Sequence, residues 1–146
     1  MRTLRAIVLV ALIATVALAG YAGLGRFDRA SAGDDTCNWA SDTADRVFVA
    51  RQALYPGDRP GASTRSVGED AQLLFDLSIE QSNAERPEIA EELNGDLVEA
   101  FSVGAAGLDA AATGASSGTD PEIQLTFAKA IVYNADARLV LVAEDC

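Results

Sequence analysis

Residues 35–54 read DTCNWASDTADRVFVARQAL, and the spacing of their apolar side chains decides the fold. Trp39, Thr43, Val47, Ala50 and Leu54 recur at steps of four and three, the spacing of one face of an α-helix. The acidic start complements the positive end of the helix dipole. Two prolines and two glycines within Tyr55-Pro56-Gly57-Asp58-Arg59-Pro60-Gly61 then end the helix, because neither residue type sustains one.

Three further stretches downstream repeat this pattern. Over about 63–82, Val67, Ala71, Leu74 and Ser78 share a side, with Leu73 and Leu77 beside them. A third helix opens at Pro87, where a missing N–H costs nothing, and Glu88 adds favourable charge to its first turn. Ile89, Leu93, Leu97, Ala100, Gly104 and Leu108 follow with helical spacing, and Gly104, Gly107 and the alanines at 110–112 mark a weak or tightly packed final part. Residues 113–119 are a small-residue connector. Asp120-Pro121-Glu122 is a strong helix start, combining an Asp cap, a first-turn proline and an acid. Ile123, Phe127, Ile131 and Asn134 then read as the inward stripe of a fourth helix. Leu139–Val142 is β-branched enough for a strand but has no second strand to pair with, so it is assigned to that helix.

Four helices of about 20, 20, 26 and 24 residues joined by short connectors predict an all-α, antiparallel up-down-up-down four-helix bundle over residues 33–146. Such a bundle returns the end of the fourth helix to the start of the first, which brings Cys146 near Cys37. A disulfide between them is the simplest reading of two cysteines in an exported domain; an intermolecular bridge or free thiols are the alternatives. The closed loop would stabilise the fold by about 4.7 kcal/mol at most in the chain-entropy model.

Residues 1–32 carry the export reading. Arg2 and Arg5 precede an uncharged run over residues 6–25, whose twenty residues rise about 30 Å as a helix, enough to span a bilayer's hydrocarbon core. The segment is either a signal peptide or a retained signal-anchor helix. Small-x-small sites lie at Ala17-Leu18-Ala19 before Gly20 and at Ala30-Ser31-Ala32 before Gly33. Tyr21 occupies the place that a lipoprotein signal reserves for cysteine, which argues against lipidation. Membrane contact is expected only through residues 6–25, if they are uncleaved. The localisation is extracytoplasmic, with the domain either secreted or tethered to the cytoplasmic membrane.

The chain has 22 acids against 11 bases, and from Gly33 onward the balance is about −14. That charge repels phosphate backbones and anionic lipid heads, so nucleic acid is not an expected partner, whereas cationic partners are favoured. There is no histidine. Its absence removes Ser-His-Asp and Cys-His catalysis, His-bearing zinc sites and the Glu-x-x-His pairs of di-iron bundles. The acids remain, including Asp42 with Asp45 and Glu88 with Glu91 and Glu92, and such groups on an amphipathic helix read as a solvated face. No cofactor or metal is expected, and no enzyme. Trp39, Phe127 and Tyr133 are candidates to line an apolar pocket. Asn134, in step with the inward stripe, is the candidate buried amide that sets register or lines a cavity.

Cys37 opening helix 1, Arg86-Pro87-Glu88-Ile89-Ala90-Glu91-Glu92-Leu93 opening helix 3, Asp120-Pro121-Glu122-Ile123 opening helix 4 and the final Cys146 together resemble small exported helical proteins of high-GC Gram-positive bacteria. The resemblance spans about residues 37–146 and implies a four-helix fold with an end-to-end disulfide. It supplies no catalytic residues. The function expected from all of this is a non-catalytic module binding a protein or cell-envelope component through a helical face; the alternative is a carrier or sensor of a small apolar ligand held between the helices.

Overall fold

The computed structural model describes residues 33–56, 65–114, 119–144 and 146; the export segment and its cleavage sites lie outside these. The described chain is helical: α1 (Asp34–Leu54), α2 (Val67–Asn83), a single 3-10 turn (Glu88–Ala90), α3 (Glu91–Thr113) and α4 (Pro121–Glu144). The four helices pack around one core. Each contacts its neighbours in the chain, and α1 also packs on α4, which closes the ring. Leu139–Val142 is helical, as the lack of a pairing strand requires.

Local chemistry explains where the helices start and stop. The Ser66 hydroxyl accepts from the Glu69 N–H, and the Glu69 carboxylate accepts from the Ser66 N–H at 2.6 Å, a reciprocal cap on α2. Asp120 accepts from the Glu122 N–H at 3.0 Å and opens α4 as its position before Pro121 predicts. At the end of α3 the chain turns through Gly114, whose φ of 69° lies in the left-handed region that favours glycine. α3 departs from expectation at its start: residues 88–90 form a 3-10 turn, and the α-helix begins at Glu91. Pro87 therefore precedes that turn. Ile89 falls outside the core and is half exposed, and Val67, the first residue of α2, is exposed too.

Three of the four apolar faces are where the periodicity puts them. Trp39, Thr43, Val47, Ala50 and Leu54 are all buried on α1, as are Ala71, Leu74 and Ser78 on α2 and Leu93, Leu97, Ala100 and Gly104 on α3. The α4 face requires correction. Its buried residues are Ala128, Val132, Ala135, Arg138, Leu139 and Val142, a stripe rotated from Ile123, Phe127, Ile131 and Asn134. The cause is close packing on α3. A Cβ placed on Gly104 would lie 3.1 Å from Ala128 Cβ, and one on Gly107 would lie 3.0 Å from Leu125 Cγ. At Gly104 the approach favours a small residue on α4, Ala128, whereas the space left by Gly107 is taken by Leu125. α4 carries apolar residues on several sides, so burial follows steric fit more than the largest hydrophobes.

Candidate functional site

Cys37 and Cys146 are disulfide-bonded, with their Cα atoms 5.8 Å apart across 109 residues of sequence. The bridge ties the first turn of α1 to the end of the chain after α4. Farther along the same two helices, the Arg51 guanidinium donates to Asp136 Oδ2 at 2.6 Å, and Lys129 lies 5.2 Å from the centre of the Tyr55 ring. These contacts fix α1 against α4 along its length.

Beneath that end lies a polar layer inside the core. Gln81 is fully buried; its amide N–H₂ donates to Asn94 Oδ1 at 2.7 Å and to Thr43 Oγ1 at 3.3 Å, while its carbonyl oxygen accepts from Arg46 at 3.2 Å. Thr43 and Asn94 are buried as well, so one amide links α1, α2 and α3. The Gln81 carbonyl and amide both have partners, so burial leaves neither stranded. Gln81 follows Leu74 by seven and Leu77 by four, and Asn94 precedes Leu97 by three. These steps were the available signal that both amides face inward.

Above this layer the surface opens into a cleft of about 730 Å³. α1 contributes Asp35, Asn38, Trp39 and Asp42; the chain between α2 and α3 contributes Ala84, Glu85, Arg86 and Pro87; α3 adds Glu91. Arg86 donates to both Glu91 carboxylate oxygens, at 2.6 and 2.9 Å, and that bond holds the Glu91 carboxyl below its ordinary range and raises the guanidinium further. Arg86 and Glu91 also border a second groove of about 410 Å³ along α2 and α3, where Gly95 has open space above it. Asp35, Asp42 and Glu85 are exposed, and no ion pair among the described residues engages them. Trp39 is 4% exposed, and its indole N–H is buried without a hydrogen-bond partner.

The aromatic and amide candidates do not share one site. Trp39 lines the cleft, near the disulfide. Tyr133 is 66% exposed, three residues from Asp136 and hence level with Arg51, which is twelve residues or about 18 Å along α1 from Trp39. Phe127 and Asn134 are half-buried on α4, and the buried core amides are Gln81 and Asn94 instead. Among the described residues no group of three or more His, Cys, Asp or Glu side chains is placed to hold a metal ion, and no helix is long and apolar enough to cross a membrane. Compared with protein-family models, curated proteins and solved structures, the chain matches none of them significantly.

Proposed function

We propose that this chain is a non-catalytic extracytoplasmic module that docks a protein or cell-envelope component at the open cleft beside the Cys37–Cys146 bridge. The observation that carries the reading is the cleft itself, where Asp35, Asp42 and Glu85, which no ion pair among the described residues engages, stand around a buried tryptophan on a covalently closed end of the bundle. A site on rigid elements loses little entropy on binding. The ring of helix contacts, with Cys37 beside Cys146 and Arg51 beside Asp136, supports an antiparallel up-down-up-down bundle. In that arrangement the cleft lies at the end where the chain enters from residues 1–32, whether those are a cleaved signal peptide or a membrane anchor. The disulfide supports an oxidising compartment, in keeping with export.

Site-specific photo-cross-linking in the native host tests this. A cross-linker replacing exposed Asn38 in the cleft is expected to give discrete adducts that one replacing Tyr133 does not. Adducts from position 133 alone, or a hydrolytic activity found on a substrate panel, would overturn the reading.

A further inference from the structure

We infer that the outward face of α4 pairs, antiparallel, with the same face of a second copy of this chain, over Ile123, Thr126, Ala130, Tyr133, Ala137 and Val140. The inference goes beyond the docking reading and uses none of the cleft residues. It rests on α4 being apolar on both sides, on where the acids lie, and on the fit of the face to itself.

The residues that α4 buries in the bundle, among them Ala128, Val132, Ala135, Leu139 and Val142, fill one side of the helix. The opposite side is apolar as well. Ile123, Ala130 and Ala137 recur every seven residues, with Thr126, Tyr133 and Val140 three residues after each, which is the spacing of a coiled-coil seam. Ile123, Tyr133 and Val140 are 42, 66 and 55% exposed, and the Thr126 hydroxyl already donates to the Glu122 carbonyl at 2.8 Å. A helix that is apolar all round is ordinarily covered all round. Leu141 lies beside the seam, and the Arg51–Asp136 bond sets Phe48, one turn before Arg51, level with Val140, one turn past Asp136. Together these five large side chains expose roughly 500 Å². Two such faces bury about 1,000 Å² between them, the area that a specific interface needs.

The domain carries about −14, so most of its surface repels a second copy. Among the described residues α1 exposes Asp42 and Asp45, α2 Asp76 and Glu80, and α3 Glu92 and Glu99. Even Phe75 and Ile79, the exposed apolar pair of α2, stand next to Asp76 and Glu80. Along α4 from 123 to 143 the one acid is Asp136, and Arg51 binds it at 2.6 Å. Two like-charged copies can therefore meet on this face. A two-fold axis between Ala130 and Tyr133 sets Ile123 of one copy on Val140 of the other, Thr126 on Ala137 and Ala130 on Tyr133. The ring of Tyr133 then meets a small side chain, none of the six residues is left without a partner, and the two helix dipoles run opposite ways.

A photo-cross-linker replacing Val140 in the full chain, in the native host, is expected to give an adduct of twice the chain's mass, joined to the segment around Ile123 of the other copy. One replacing exposed Asp76 should give less than a tenth as much. Tyr133→Glu places like charges on the seam and is expected to cut the position-140 adduct at least tenfold, with the fold checked by circular dichroism and by the mass of the disulfide-closed chain. Tyr133→Phe should change the yield less than twofold. Added salt should raise the yield in cell extract, because screening relieves the repulsion between acidic copies. Position 133 is expected to give this same adduct and none of those expected at position 38. The double-mass adduct contains peptides of this chain alone, so it is told apart from a docked partner, and either reading can fail without the other. No adduct of twice the mass, an adduct only to another protein or within one chain, or equal yields at positions 76 and 140 would overturn the inference.

Discussion

Gly104 of α3 and Ala128 of α4 meet so closely that a Cβ added to the glycine would lie 3.1 Å from the alanine's own Cβ. Leu74 Cδ1 of α2 and Leu54 Cδ2 of α1 would be 3.2 and 3.3 Å from the same added carbon, so all four helices converge on this glycine. The two leucines can shift a little, but Ala128 Cβ is fixed to its backbone. Gly104→Val is therefore expected to destabilise by about 3 kcal/mol through overpacking. Gly95, in the same helix with nothing within 4 Å, is the control: Gly95→Ala should stabilise by roughly 0.8 kcal/mol from helix propensity alone. Urea unfolding of the two variants checks the opposite signs.

Replacing both cysteines by serine opens a loop that spans 109 residues. The expected loss approaches about 4.7 kcal/mol, the chain-entropy value for a loop of that order, and shows as a lower denaturation midpoint.

Gln81→Leu removes the amide that serves Thr43, Asn94 and Arg46 together. Asn94 is left buried without that donor, so the expected cost is about 2–3 kcal/mol, far above that of an isosteric change in an apolar core. A compensating Asn94→Leu in the same chain should recover part of the loss, which a double-mutant cycle measures.

Burial raises the Asp96 carboxyl above its ordinary value against the pull of Arg138, with Glu92 and Glu99 adding to the rise. An acid whose folded value is raised binds its proton more tightly in the folded state, so stability falls as pH climbs from below about 4 through that value. Asp96→Asn is therefore expected to stabilise the domain at pH 7 and to leave it unchanged near pH 3. Thermal melts at the two pH values test the difference.

Much of the fold was legible because burial and the strongest apolar spacing coincide on α1, α2 and α3. They part on α4. There Ile123 of the expected inward stripe is exposed and Phe127, Ile131 and Asn134 are only half-buried, while Ala128 takes the place facing Gly104 and Leu125 the place facing Gly107. Single-sequence periodicity measures hydrophobicity and carries no record of how near the partner helix stands. The same limit moved the inward amide from Asn134 to Gln81 and Asn94. The Cys37–Cys146 bridge was readable from the expected bundle together with the pairing that two cysteines of an exported domain most simply make. The cleft was not, since Asp42, Glu85 and Glu91 become one surface only when α1 folds against the chain joining α2 to α3, and on a helix alone each reads as a solvated acid.

Closure of the domain by Cys37–Cys146 outside the cytoplasm is the central claim. Intact-mass analysis of the protein taken from its native host, alkylated before and after reduction, tests that directly. No label is expected before reduction, and two labels after it. Label on both cysteines before reduction would contradict it.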